Sequence, residues 1–242
     1  SIIKQKFKHG YEIIVVDNFS KDNTRSIILK YQKKYKNIFI YQKKLDQSQA
    51  INFGFQKSRG IFLAWQNCDD FYYNNAFNLF YGKYKKNKRA KVIYGNMNLV
   101  DIKMKKLRSL HFQSINFFHL CAEGMIISNQ SSIFHYSLFP SFNLKKYHNS
   151  FDYDFFLNLA KRKVKFYRVD SNKPVAGFRI YEGQKSGNYT LEDNKNRSRI
   201  VKNYKPNFLY SLKFFSKLIR MIKILIKNGL FYLVRYCKQK KI

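Results

Sequence analysis

Three carboxylates stand where apolar runs end: Asp17 closes "EIIVVD", and Asp69 with Asp70 closes "IFLAWQNCDD". If each run is a strand of a parallel sheet, the three acids share one edge, because parallel strands all finish on the same side. Convergent carboxylates at such an edge suit a divalent cation, Mg²⁺ or Mn²⁺, holding a pyrophosphate. Hard oxygen ligands bind these ions, and substrate phosphates complete the shell. Asp17 alone reads equally well as an ordinary acid of a strand-to-helix turn. The adjacent pair calls more strongly for a ligand, since neighbouring like charges repel and need a compensating cation. A further acidic stretch, "FDYDF", puts Asp152 and Asp154 at the start of a helix, where the helix dipole alone would favour them.

The elements that must position these residues follow from pattern. The β-branched run Ile13 to Val16 suits a parallel strand buried on both faces. Asp22 and Asn23 can cap the next helix, in which Ile27, Ile28 and Tyr31 recur at helical spacing. "NIFIYQ" predicts a second strand, "SQAINFGFQKSRG" a helix with Gly60 just past its end, and "IFLAW" a third strand. This alternation predicts an α/β fold with a mostly parallel central sheet flanked by helices. A helix is expected from about Asn75 to Tyr84, a strand and turn in "KVIYGNMNLVD", a helix in "DYDFFLNLAKRK" and a strand in "VKFYRVD". Residues 103–150 offer few other clear elements beyond "SSIFHYSLF".

With 45% apolar and 18% aromatic residues in 242, the chain can bury a sizeable core and is not a disordered tail. Its 47 Lys+Arg against 14 Asp+Glu, a formal net charge of +33, imply anionic partners: nucleic acid, acidic phospholipid or phosphorylated substrates. Abundant Lys, Asn, Ile, Phe and Tyr are equally what AT-rich codons produce. Cys68, Cys121 and Cys237 are odd in number and widely spaced. They suggest neither a disulfide framework nor a zinc site and fit a reducing, cytoplasmic compartment. No signal-peptide pattern or long uncharged apolar run occurs. From Pro206 onward Phe208, Leu212, Phe215, Ile219, Ile222 and Ile226 alternate in steps of four and three, with no acid after Asp193. That is a basic amphipathic helix, which would either pack on the domain or dock on an anionic membrane surface, and the second reading is favoured.

Several motifs in register resemble glycosyltransferase family 2, inverting enzymes with a GT-A fold: "EIIVVDNFSKDNT", "QSQAINFGFQKSRGIFLAWQNCDDFY", "VIYGN" and "FDYDFFLNLAKR". The likeness runs from about Ser1 to Ser186, giving a transferase domain over 1–205 and a helical tail over 206–242. It implies a sugar moved from a nucleotide-diphosphate donor to a hydroxyl of a glycan or lipid-linked acceptor, as in cell-surface polysaccharide biosynthesis on the inner face of a membrane. By position, Asp17 resembles the acid that hydrogen-bonds the donor nucleobase. Asp69 and Asp70 resemble the acidic pair facing metal and donor sugar, Asp70 the more direct ligand. Asp152 resembles the catalytic base, with Asp154 the runner-up. Such a base would take the acceptor proton while the metal neutralises charge on the departing nucleotide diphosphate. Gln49, Asn52 and Gly54 match a segment lining the donor pocket, Gln130 one near the acceptor, and Arg179 with Lys185 one that can hold diphosphate. The first two and Gln130 are also readable as helix-face and loop amides.

The departures from the family pattern are specific. "SIIKQKFKHGYE" corresponds to the helix and turn that follow the family's first strand, so the likeness implies an N-terminally short domain. Tyr181 replaces a usual His, which removes imidazole as a metal ligand. Asp46 stands where Gly is common, just before "QSQAIN". A degenerate relative that binds membrane or glycan without catalysis is the alternative. A nucleic-acid-binding protein has only charge in its favour, because no binding module is present and unmetallated acids would repel phosphate.

Overall fold

In the computed structural model, described for residues 1–141, 150–184 and 191–204, the run at Ile13–Asp17 forms strand β1. The helix α1 (Thr24–Lys34) carries it over to β2 (Ile38–Gln42), parallel to β1 with Ile13 beside Ile38. Asp22 Oδ1 accepts the Thr24 N–H at 2.9 Å and opens α1, whereas Asn23 makes no side-chain cap. The expected burial of β1 on both faces is not observed. Ile13 to Val16 are half-buried, and Ile27 and Tyr31 of α1 are exposed. The reason is topological: among the described residues β1 pairs with β2 alone, in a two-stranded sheet.

The next helix, α2 (Gln47–Lys57), packs on β1 with Gly54 facing Val16, where a Cβ would sit 3.7 Å from Val16 Cγ2, an ordinary contact. Asp46 is its N-cap, accepting the Gln49 N–H while Gln49 Oε1 accepts the Asp46 N–H. This reciprocal capping box explains an acid at that position.

The remaining strands are short. They are β3 (Phe62–Leu63), β4 (Phe71–Tyr72), β5 (Val92–Tyr94), β6 (Asn96–Val100), β7 (Lys106–Leu110), β8 (Ser132–His135), β9 (Phe166–Arg168) and β10 (Pro174–Arg179). They form two four-stranded sheets ordered β3-β8-β5-β9 and β4-β10-β6-β7. The α/β class expected from sequence is observed, but the sheets are mixed rather than mostly parallel. β1–β2, β10–β6 and β5–β9 run parallel, while β3–β8, β5–β8, β10–β4 and β6–β7 run antiparallel. "KVIYGNMNLVD" is two strands in different sheets, hinged at Gly95. A Cβ at Gly95 would lie 2.7 Å from Val175 Cγ1, so the close packing at this corner admits no side chain.

Helices α3 (Ala76–Lys86), α4 (Phe117–Glu123), α5 (Phe151–Lys161) and α6 (Leu191–Asn203) complete the described elements. Most of α5 is enclosed: Phe151, Tyr153, Phe155, Phe156, Leu157, Leu159 and Ala160 are all buried, as an all-round apolar helix requires. Its aromatics meet Trp65, whose ring stacks on Phe134 at 5.5 Å and lies 6.4 Å from Phe151. Each such ring contributes roughly 1.5–3 kcal/mol by leaving water.

Residues 1–12 form no helix, contrary to the likeness of "SIIKQKFKHGYE" to one. They lie along α3 instead, with Gln5 Nε2 donating to Tyr73 O at 2.9 Å and His9 stacked on Tyr81. Among the described residues no helix is long and apolar enough to cross a membrane. The basic tail expected over 206–242 lies outside the described residues.

Candidate active site

The acidic pair sits between two anchors. Upstream, Trp65 is locked in the aromatic core. Downstream, Phe71 lies over Gly177 of β10 so closely that a Cβ there would be 2.2 Å from the ring. Between them the chain turns, with Asp70 N donating to Asn67 O at 3.2 Å.

Asp70 is the hub of this turn. Only 8% exposed, it accepts the backbone N–H of Arg179 on Oδ1 at 3.1 Å. Its Oδ2 accepts Gln130 Nε2 at 3.1 Å and Asn67 Nδ2 at 3.3 Å. Gln130 comes from a 3-10 turn at Asn129–Ser131, and its amide oxygen accepts the Ser128 hydroxyl. Gln47 Nε2 in turn donates to Asn67 Oδ1 at 3.2 Å. Burial pushes the Asp70 carboxyl up to about 6. The Arg179 N–H opposes that shift and the charge of Asp69 adds to it.

Asp69 is more open. Its Oδ2 accepts the Tyr181 hydroxyl at 3.1 Å, a contact that raises the phenol's pKa. Tyr181 thus approaches Asp69 through a hydroxyl, where the His expected at this position would offer an imidazole nitrogen to a metal. Among the described residues no three His, Cys, Asp or Glu gather around one point, so the acids on hand there are Asp69 and Asp70. That set fits Mg²⁺ or Mn²⁺, which keep water and take substrate phosphate oxygens readily. Of the two acids, Asp69 has the less encumbered oxygens, although sequence position marked Asp70 as the more direct ligand.

Polar side-chain atoms in the segments that carry the pair and its partners are also left over. Among the described residues Arg179 Nε, both amide atoms of Gln66 and Gln184 Oε1 are buried without a hydrogen-bond partner. A buried orphan costs about 1–3 kcal/mol, and a polar ligand would relieve it. Lys185 lies outside the described residues.

The other expected residues divide. Asp17 ends β1, 4% exposed, and accepts the Ser20 hydroxyl, the Ser20 N–H at 3.1 Å and Gln42 Nε2 at 3.2 Å. The Ser20 hydroxyl holds its carboxyl below the usual range. Gln49 spends its amide oxygen on the capping box of α2, while Asn52 is half-buried on the same helix. Gln130, expected on the acceptor side, donates to Asp70.

Asp152 and Asp154 both lie in the first turn of α5. Asp154 Oδ1 accepts the Tyr204 hydroxyl at 2.9 Å, so it ties α5 to the chain just after α6. Asp152 accepts the adjacent Tyr153 N–H at 2.8 Å. Burial raises its carboxyl to about 6, while that N–H and the Arg197 charge hold it down. A carboxylate poised there can take a proton near neutral pH, the property a general base needs. Asn67 and Gln47, the residues sequence reasoning missed, had one visible signal: polar side chains beside an acidic turn.

Comparison with known proteins adds relatives. The sequence model of a family described as Glycosyl transferase family 2 matches residues 1–164. An uncharacterized glycosyltransferase of Rickettsia conorii is 31% identical over 118 residues, 48% of this chain and 19% of that protein. A dolichyl-phosphate beta-glucosyltransferase of Trichomonas vaginalis is 29% identical over 104 residues, 41% of this chain and 32% of that protein. The matches thus span less than a third of either relative's length. A crystal structure of S. aureus TarS superposes with a TM-score of 0.60 at 15% identity, over 83% of this chain and 35% of that chain, a likeness of fold.

Proposed function

This chain belongs to glycosyl transferase family 2, and from that premise we propose that it moves a glycosyl group from a nucleotide-diphosphate sugar to an acceptor hydroxyl, with inversion and with a divalent cation. The observation that carries the reading is Asp70, a buried carboxylate held by Arg179, Gln130 and Asn67 beside the open carboxylate of Asp69. Two distant segments and its own turn fix that one side chain, an investment a surface acid does not need.

In the proposed reaction Asp152 removes the acceptor O–H proton. The oxygen attacks the anomeric carbon from the face opposite the diphosphate. The bond from that carbon to the phosphate oxygen breaks, and its electron pair leaves with the nucleotide diphosphate. Asp69 and Asp70 would hold the cation, which when bound offsets charge on the leaving diphosphate. Arg179, whose backbone N–H holds Asp70 and whose Nε is buried without a partner, would donate to the same phosphates. Asp17 would receive the nucleobase edge, Asn52 would line the donor pocket, and Gln130 would keep Asp70 oriented.

A glycan or lipid-linked acceptor on the cytoplasmic face of a membrane is part of the proposal. The net charge of +33 and the name of the Trichomonas relative, which refers to a lipid phosphate, support it. Nucleic acid is not a proposed partner. Calorimetry of UDP, GDP and TDP with and without Mn²⁺ tests the donor site: one base bound, and only with metal, is the expected result. No nucleotide bound under either condition would favour the non-catalytic alternative.

A further inference from the structure

The hairpin joining β6 to β7 carries a surface that the transfer reading does not use. Residues 102–108 read "IKMKKLR" and are exposed throughout. Ile102 is 67% exposed, Met104 53% and Leu107 55%. Lys103, Lys105, Lys106 and Arg108 alternate with them, and none makes an ion pair among the described residues. The nearby acid, Asp101, is spent on the turn: its carboxylate accepts the Lys105 N–H at 2.8 Å and its carbonyl the Met104 N–H at 2.9 Å.

Chain reversal does not account for these side chains. Met104 has φ +66°, a left-handed position that turns usually give to Gly, Asn or Asp. Lysines alone would be ordinary protection of β7, which is an edge strand. Three exposed large apolar residues undo that protection. Together with the cations they match an interfacial surface, on which apolar groups enter the headgroup boundary while Lys and Arg meet anionic headgroups.

The hairpin also stands beside the acidic pair. β6 runs parallel to β10 with Val100 beside Arg179, and Ile180 N donates to Val100 O at 2.8 Å. From that strand end Arg179 reaches Asp70 and Tyr181 reaches Asp69, with Ile180 exposed between them. The tip therefore leaves its sheet at the edge that holds the carboxylates.

We propose that hairpin 102–108 is a docking surface for an anionic phospholipid bilayer: Ile102, Met104 and Leu107 enter the interface, and the four cations meet headgroup phosphates. The inference rests on the hairpin alone and holds whichever donor the site takes. Its consequence is that the Asp69–Asp70 site works against the membrane surface.

The test uses the full chain and vesicles of phosphatidylcholine with or without phosphatidylglycerol. Because residues 206–242 are also basic, a local reporter is needed, and M104W provides it against a single native Trp, Trp65, which is buried. On anionic vesicles M104W emission is expected to shift to the blue and to be quenched by brominated acyl chains. I102S/M104S/L107S should lower vesicle partitioning about tenfold. K103S/K105S/K106S should lower it roughly a hundredfold, at roughly fivefold per cation. Both variants should keep native circular dichroism and nucleotide affinity. Unchanged M104W emission on vesicles that sediment the chain would overturn the proposal. So would equal response to neutral vesicles, or a response to oligonucleotides in place of vesicles.

Discussion

Replacing Asp152 by Asn should abolish transfer and at the same time make the protein more stable. Burial moves this carboxyl from the ordinary 3.8 to about 6, a preference for the protonated form of about 3 kcal/mol. The folded value lies above the unfolded one, so the strain is absent below pH 3.8, grows as pH rises towards 6 and is full above it. Asparagine removes the charge and keeps an oxygen for the Tyr153 N–H, but it forfeits attraction to Arg197. The expected gain at pH 7 is therefore about 1–3 kcal/mol, or roughly 2–12 °C in Tm for a chain of this size. The assay is thermal unfolding of both proteins from pH 4 to pH 8. The difference in Tm should open between pH 4 and 6 and stay constant above. Transfer by the native protein should fall as pH drops through about 6, as its base becomes protonated. An Asn variant that is less stable at pH 7, or whose Tm difference ignores pH, would refute the reading of Asp152 as a carboxylate held charged at the expense of the fold.

Asp69→Asn should reduce metal-dependent nucleotide affinity at least tenfold by calorimetry while leaving Tm within about 1 °C, because its carboxylate contacts only Tyr181 among the described residues. Gln130→Leu removes a hydrogen bond to Asp70 inside the fold and should cost about 1–3 kcal/mol in chemical denaturation. It should also shift the acid limb of nucleotide binding to higher pH. Gly177→Ala forces a Cβ into the Phe71 ring and should cost about 1–3 kcal/mol in the same measurement, with weaker nucleotide binding because Phe71 adjoins Asp70. Asp46→Ala breaks the capping box of α2 and should cost about 1 kcal/mol in urea denaturation without changing the metal requirement.

How much of this was legible in the sequence depended on whether the determinant was local. The run Ile13 to Val16, the cap at Asp22 and the spacing through Phe151–Lys161 each specify their own element, and strand, helix start and helix followed. Neither the direction of β3 nor the division of "KVIYGNMNLVD" between two sheets is local. Both depend on partners about 70 to 80 residues away, β8 for the first and β10 for the second. Gly95 was the one local mark of that division, and only the Val175 side chain shows why it is Gly. The acids of the site were legible because carboxylates are scarce in this chain, with 14 Asp+Glu among 242 residues. Their supports were not, since Gln130 and Asn67 are ordinary amides until folding brings them to Asp70.

That asymmetry bears on how the two carboxylates share their work. A carboxylate that binds a cation must stay ionised, yet burial beside a second acid favours protonation. Asp70 meets this conflict with three N–H donors, one from the backbone of β10 and two from side-chain amides. Each donor favours the charged form, and together they still leave the group near 6. Asp69 meets it differently, by standing at the surface with one hydroxyl partner. In the proposed metal site, one acid fixed and one open would give a rigid reference point and a ligand with room to move. Occupancy by a cation would then draw Asp70 fully into its ionised form and relieve the repulsion between the two, so metal binding should stabilise the fold more at pH 7 than at pH 5. Thermal unfolding with and without Mn²⁺ at those two pH values measures that difference directly, and equal stabilisation at both would show that Asp70 does not feel the ion.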